Sequence, residues 1–337
     1  MLTQHTTGIN EPAQAVDAPG RWTQPGSLRH GVAMGTENGF EIRRAGDNDA
    51  LGNMVMEQAT GRLLGGVGHN DLRSWCYPLN TPRGLGVTQE YAFDHGFHNG
   101  VFVAQARVVC GGVLSNFWVV HPDWRSPDSH VYNHLGRIRY RERAGITPLE
   151  TGFRFTYRST WEGCDGAPVL DEVRHFDLYA AADATICDLI SRKTAAYGEL
   201  RFEANKHGSI GVRVQPQLLP PFGGEMVAGT GAELRRGLAD EVAFGKERDF
   251  VAYEAEPAGL GRFGVCLLVL NNTASARRTG PWFVRDYGMA MFNATMDDDV
   301  TVAEGTTWES ALRVAAYDGA VSAERVRSWA AARSGAR

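Results

Sequence analysis

From about residue 38 onward the chain is a series of short β-forming runs, each cut off by Gly, Asp, Asn or Pro. The runs include GFEIRR, GNMVMEQ, GVFVAQARVV, NFWVVH, GRIRYRERAG, GFRFTYRSTWEG, LDEVRHFDLYA, TICDLISRKTA, IGVRVQP, DFVAYEAE, GVCLLVLN, WFVRDYGMAMFN and WESALRVAAYDG. Several alternate with period two. In RFTYRSTW, Phe155, Tyr157 and Ser159 share one face, and Arg154, Thr156, Arg158 and Thr160 share the other. Such alternation marks antiparallel strands with one buried face. No low-complexity linker divides the series and no repeat of fixed period runs through it. The pattern therefore predicts one large β-sandwich of two antiparallel sheets, not a propeller or a solenoid. Helical signals are few. SAERVRSWAAARS, near 322–334, predicts a C-terminal helix with Ser322 as N-cap and Val326, Trp329 and Ala330 on one face. GAELRRGLADEV, near 231–242, is a weaker helical candidate.

Among 337 residues, 40 are glycine and 8 tryptophan, which suits many turns between aromatic-bearing strands. Residues 1–36, rich in Gly, Pro, Thr and Gln, read as an N-terminal arm, and 37–337 as a single sandwich domain. The N-terminus lacks the basic and apolar regions of a signal peptide, and no run approaches the roughly 18 apolar residues that span a bilayer. The net charge is −5, so no basic excess points to nucleic acid or an anionic membrane. Cys76, Cys110, Cys164, Cys187 and Cys266 are odd in number and show no C-x-x-C spacing. They read as reduced, mostly buried thiols. The expectation is a cytoplasmic protein with neither nucleic acid nor membrane as partner. The oligomeric state, homo-oligomer included, stays open.

Dinucleotide, phosphate-loop, nucleophile-elbow and H-E-x-x-H motifs are absent. Three constellations remain. DHGFHNG sets Asp94, His95, His98 and Asn99 in a short loop entering a strand. Two imidazoles and a carboxylate in one turn can form an acid/base pair, bind sugar hydroxyls, or partly ligate a metal. They can also simply bond backbone groups. EANKHGSIGVRV places Lys206 and His207 before a strand that carries Arg213, which is either an anion or hydroxyl clamp or a solvated loop. GPWFVRDYGMAMFN sets Arg285, Asp286 and Tyr287 in succession. Alternation would put Arg285 and Tyr287 on one face and Asp286 on the other, unless Arg285 and Asp286 form a buried pair. Glu172 and Arg174, two apart in one strand, share a face as an ion pair. His121, His130, His134 and His175 read as polar-loop or rim residues.

The succession Y-P-L-x-T-P-x-G, V-T, D-H-x-x-H-x-G, K-x-G-x-x-G-x-R-V, W-x-V-R-D-Y-G and R-V-x-x-Y-D-G, from about residue 50 to about 330, resembles a bacterial family. Its members carry the label "methane oxygenase PmoA-like", although they are soluble and unlike the membrane subunit of methane monooxygenase. The resemblance implies a galactose mutarotase-like supersandwich and a carbohydrate substrate. Its histidine loop matches Asp94, His95 and His98, its lysine loop Lys206 and Gly208 followed by Arg213, and its late motif Arg285, Asp286, Tyr287 and Gly288. Two positions depart from the family pattern. Asn99 stands in a loop that usually reads D-H-x-x-H-H-R-G, and Phe283 stands where a histidine is common. Both departures imply a less charged or more apolar ligand.

Together these features predict an enzyme acting on a sugar or glycoside-like ring in the concave groove of the sandwich. His95 or His98 would act as general base or acid, with His207 as the opposing group. Lys206, Arg213 and Arg285 would stabilise developing oxyanion charge. Trp118 and Trp282 would stack on the ring. Hydrolysis or elimination is favoured over epimerisation, and no metal or other cofactor is needed. A sugar-binding protein without catalysis, and a metal-dependent enzyme of secondary metabolism using His95 and His98, with His207 as the candidate third ligand, are the alternatives.

Overall fold

Strands that are apolar on one side only must bury that side, and the simplest partner is a second such sheet. The computed structural model describes residues 33–44, 52–70, 72–119, 129, 132–270 and 280–334. Among these, one sheet has ten strands in the order Ala33–Glu37, Phe40–Arg44, Asn53–Glu57, Arg62–His69, Ser74–Leu79, Val101–Gln105, Gly208–Arg213, Met289–Phe292, Gly280–Val284 and Glu247–Arg248. The other has nine, in the order Arg137–Leu149, Gly152–Glu162, Pro168–Ala180, Ala184–Thr194, Thr307–Asp318, Phe263–Val269, Phe250–Ala255, Glu225–Thr230 and Glu233–Gly237. Neighbouring strands in both run antiparallel. The fold is thus the large antiparallel sandwich that the alternation predicts. Val55, Leu64 and Val101 of the first sheet share one core with Phe153, Phe155 and Leu189 of the second.

Local details differ from the expectation. Residues 33–36, placed by composition in the arm, lie in the first strand of the ten-stranded sheet, and 1–32 fall outside the described residues. The stretch 231–242 is mostly strand, Glu233–Gly237, followed by a single helical turn, Ala239–Val242. Gly231, at φ 62°, makes the hairpin turn that starts this edge strand. Within NFWVVH the described residues 116–119 form no strand: Asn116 Oδ1 accepts from the Trp118 N–H at 2.8 Å, which folds the chain into a local turn.

The C-terminal helix runs Ala323–Ala331, and the Arg325 N–H donates to Ser322 Oγ at 3.2 Å, the N-cap bond. Val326 and Trp329 pack on the outer face of the nine-stranded sheet beside Tyr179, Ile186 and Tyr317. Ala330 is exposed, because it falls past the edge of that contact. The helix covers one outer face of the sandwich. The opposite outer face, on the ten-stranded sheet, carries the site described below.

The interior is not wholly apolar. Glu172 and Arg174 form the anticipated pair, fully buried, with Arg174 Nε and Nη2 donating to the carboxylate at 2.9 and 2.7 Å. Trp161 Nε1 (2.8 Å) and Ser191 Oγ (2.5 Å) also donate to Glu172. Burial alone would push the Glu172 carboxyl up, but Arg174 and Lys193 hold it below its ordinary value. Lys193 bonds Ser191 Oγ at 2.8 Å and Ser310 Oγ at 3.2 Å, and sits 4.9 Å from the Trp308 ring centre.

Burial pulls the Lys193 ammonium from 10.5 down to about 8. Below pH 8 both folded and unfolded chains hold this proton, and the folded chain bears the full desolvation penalty. Between about 8 and 10.5 the folded chain has lost the proton and the unfolded chain has not, so stability rises with pH. The expected result is that wild type gains stability relative to Lys193→Met as pH rises from 8 towards 10, measured by urea unfolding. A difference that stays flat across that range would contradict it.

Candidate functional site

The ten-stranded sheet presents one row of side chains outward across five adjacent strands. Trp75 faces Phe102, Phe102 faces Gly211, Gly211 faces Met291, and Met291 faces Phe283. Cross-strand partners point to the same side of a sheet. The adjacent row, Cys76, Val101, Val212, Ala290 and Val284, points into the core. The outward row stays low at its centre because residue 211 is glycine. A Cβ there would come within 2.5 Å of Met289 and 3.2 Å of Phe102.

DHGFHNG forms the turn and second strand of a hairpin, with strands Glu90–Ala92 and His95–Asn99, that folds back over this row. Gly100 turns the chain from the hairpin into the strand Val101–Gln105. Its φ is 51°, and any Cβ would meet the Cys76 carbonyl at 2.1 Å, so only glycine fits. The hairpin thereby sets His98 on the outward row. Four rings stack in sequence: Tyr287 on His95 (centres 5.2 Å apart, planes 9° apart), His95 on His98 (4.9 Å, 3°) and His98 on Phe102 (5.7 Å, 24°). Trp118 meets the edge of His98 at 5.4 Å and lies 5.3 Å from His207, which lies 5.8 Å from Phe283.

A polar chain runs alongside the stack. Arg213 Nη2 donates to Asp94 Oδ1 at 2.6 Å, and Asp94 Oδ2 lies 3.0 Å from His95 Nδ1. Burial alone would raise the Asp94 carboxyl, but the hydrogen bonds from His95 and Arg213 hold it below the usual carboxylate range. An ionised Asp94 accepts the proton of Nδ1, which leaves His95 Nε2 as the basic nitrogen. This is the geometry of a base oriented by a carboxylate. His95 keeps 34% of its side chain exposed, so the oriented ring is reachable.

Around it, buried polar atoms lack partners: both nitrogens of His98, Nδ2 of Asn99 and Nη1 of Arg213. Buried groups of this kind need a partner from solvent or ligand. Burial, reinforced by the positive charges of its neighbours, holds the His98 imidazole well below 6.5 and so neutral. The unfolded chain takes up this proton as pH falls below about 6.5 and the folded chain does not, so wild type loses stability on acidification. A His98→Phe variant is expected to lose less stability than wild type between pH 7 and 5. Parallel losses would contradict the buried neutral ring.

The structure brings together Asp94, His95, His98, Asn99, Trp118, His207, Arg213 and Tyr287. Trp118 is 3% exposed, with its ring already packed on Phe97, His98, Phe102 and His207, so it is a wall of the site and not an open stacking platform. Trp282 lies elsewhere. It is fully buried in the inter-sheet core against Phe292, and its Nε1 donates to the Arg248 carbonyl. Its strand turns Phe283 outward instead.

Arg285, Asp286, Tyr287 and Gly288 are not strand residues but the turn between two strands. Arg285 lies over the rings of Phe244 and Phe283 and pairs with Asp240, at the rim. Asp286 accepts from the Ala239 N–H and makes no pair with Arg285 among the described residues. Lys206 is exposed. His134 is exposed, and His175 bonds Thr156 on the other sheet. His121 and His130 lie outside the described residues.

A buried arginine completes the support. Arg73 donates to the Phe97 and Trp118 carbonyls and lies 4.5 Å from the Phe102 ring centre, locking the hairpin and the Trp118 turn onto the row. Burial, aided by Arg174, pulls it down to about 9, still charged at neutral pH. Sequence reasoning missed Arg73, Trp75, Phe97 and Phe102. Only the alternation of Trp75 and Tyr77 in SWCYPL hinted at an aromatic outer face.

No group of three or more His, Cys, Asp or Glu side chains among the described residues converges as a ligand set. The parallel planes of His95 and His98 keep their in-plane lone pairs from meeting at one ion, so this pair does not fit a shared metal. No helix among the described residues is long and apolar enough to cross a membrane.

Fold and site together define a large antiparallel sandwich with a histidine cluster on the outer face of its ten-stranded sheet. The chain belongs to a family of unknown function, DUF6807, whose model matches residues 67–331. That family model and the two structures named below do not carry the PmoA-like label. The sequence matches no curated protein. Among solved structures it is similar to a heparan sulfate lyase HepC mutant from Pedobacter heparinus, at 10% identity and a TM-score of 0.34. That match covers 88% of this chain but only 38% of the lyase. It is also similar to a galactose mutarotase related enzyme from Lactobacillus acidophilus, at 8% identity and a TM-score of 0.32, covering 82% of this chain and 97% of that one.

Proposed function

We propose that the protein is a carbohydrate-active enzyme that transfers protons at a sugar or glycoside-like ring through His95. The observation that carries this reading is the Arg213–Asp94–His95 chain, at 2.6 and 3.0 Å, beside unpaired buried atoms of His98, Asn99 and Arg213. An oriented, reachable imidazole supplies a base or acid. The unpaired donors and the neutral His98 supply sites for hydroxyls or for an oxygen that gains charge. Tyr287, stacked on His95, and His207, beside Trp118, are both half-buried, and such rings suit the apolar side of a sugar ring. Phe283, at a position where the resembled family often has histidine, gives one wall an apolar character and supports a less charged ligand. The motif order that resembles the PmoA-like family falls mostly within the matched residues 67–331.

His95, oriented by Asp94, supplies one acid/base group, and cleavage by elimination or hydrolysis is favoured over epimerisation. The reading needs no metal. Purified protein incubated with a panel of glycosides and acidic sugars, with products separated by mass, is expected to yield a cleaved product. Activity should be retained after exhaustive chelation. Turnover that depends strictly on stoichiometric divalent metal would overturn this mechanism. Binding without turnover across the panel would favour the sugar-binding alternative.

A further inference from the structure

We infer that a second sugar-ring subsite lies beside the hairpin, in a cavity of about 420 Å3 lined by Trp75, Tyr77, Glu90, Tyr91, His69 and Asn70, so that the substrate spans at least two rings. This rests on the sugar-binding reading of the neighbouring histidine cluster and extends it. The volume is that of a small-molecule site. Its walls are aromatic, and Gly52 and Gly68 add no side chains to it. Polar side chains are few: the Glu90 carboxyl, hydrogen-bonded by Trp75, and the Tyr91 hydroxyl, bonded to Asn70. The His69 ring turns the other way, packing on Tyr140 and Tyr157 between the sheets, so His69 lines the cavity with its backbone. Flat apolar walls with a few polar groups match a pyranose, which has one apolar face and a rim of hydroxyls. They do not match an anion, since no lysine or arginine lines the cavity.

The cavity is coupled to the histidine cluster through two contacts. Trp75 is the cross-strand partner of Phe102, on which His98 stacks, and adjacent strands are about 5 Å apart. Glu90 pairs across the hairpin with Asn99, next to His98. One short hairpin therefore serves both places. Burial raises the Glu90 carboxyl above its ordinary value, and the hydrogen bond from Trp75 partly offsets this.

The test is equilibrium binding of cellobiose, maltose and lactose, and of the matching methyl hexopyranosides, to catalytically disabled His95→Ala protein by calorimetry. At least one disaccharide is expected to bind tenfold or more tighter than its methyl monoglycoside. Adding Met54→Trp, which fills the cavity, should remove that advantage, and Tyr91→Ala, at a side chain more than half exposed, should reduce it without threatening the fold. Disaccharide and monoglycoside binding with equal affinity, or an advantage untouched by both variants, would overturn the subsite. So would no binding of any of the six. A disaccharide advantage that these variants abolish, in a protein that turns over no glycoside, would support the subsite and overturn the catalytic reading alone.

Discussion

Replacing His95 by alanine is expected to lower kcat on any cleaved glycoside by about two to four orders of magnitude, the usual contribution of a positioned acid or base. Substrate binding should persist, because Tyr287, His207 and Arg213, proposed to hold the ring, are unchanged. Asp94→Asn should have a comparable effect. An amide in place of the carboxylate no longer fixes the proton on Nδ1 at 3.0 Å, and the tautomer with a basic Nε2 is lost. Arg213 touches Asp94 and not the imidazole, so Arg213→Lys should cost less in kcat while shifting the acid limb of the pH profile upward as Asp94 loses a donor. Steady-state kinetics with thermal melts as a folding control would check all three. A His95→Ala protein with turnover within threefold of wild type would remove His95 from the chemistry.

The second large effect is on stability. Glu172→Gln is expected to destabilise the fold by about 3–5 kcal/mol, since it leaves Arg174 and Lys193 buried without their counter-charge. The reason is asymmetric. A buried pair contributes little net stability over an apolar pair of the same shape, but one charge left alone in the interior is costly. Glu172→Gln combined with Lys193→Met should therefore lose less than the sum of the two single changes. Urea unfolding measures both. A single-variant loss under 1 kcal/mol would mean that water reaches this part of the core.

The sandwich was legible because period-two alternation survives in strands such as Gly152–Glu162, where Phe153, Phe155, Tyr157 and Trp161 are buried. The Glu172–Arg174 pair was legible for the same reason. The members Asp94, His95 and His98 could be read because seven consecutive residues hold them. Their surroundings could not. Trp118, His207 and Tyr287 join them only because Val101–Gln105 inserts between Ser74–Leu79 and Gly208–Arg213, and strand order is not written in local pattern.

Trp282 shows the limit of alternation. Its strand could face either way, and pairing with Phe292 fixes Trp282 inward and Phe283 outward. Arg285 to Gly288 looked like continued strand because Val284 and Met289 flank them. Gly288, at φ 92°, was the available sign of a turn.

The most direct test of the central claim is a crystal structure of His95→Ala protein soaked with a glycoside that wild type cleaves. The account predicts a sugar ring on the outer face of the ten-stranded sheet, bordered by Tyr287 and His207, with hydroxyls in hydrogen-bond reach of His98 and Arg213. A ring bound anywhere else on the molecule, with this face left without ligand, would contradict it.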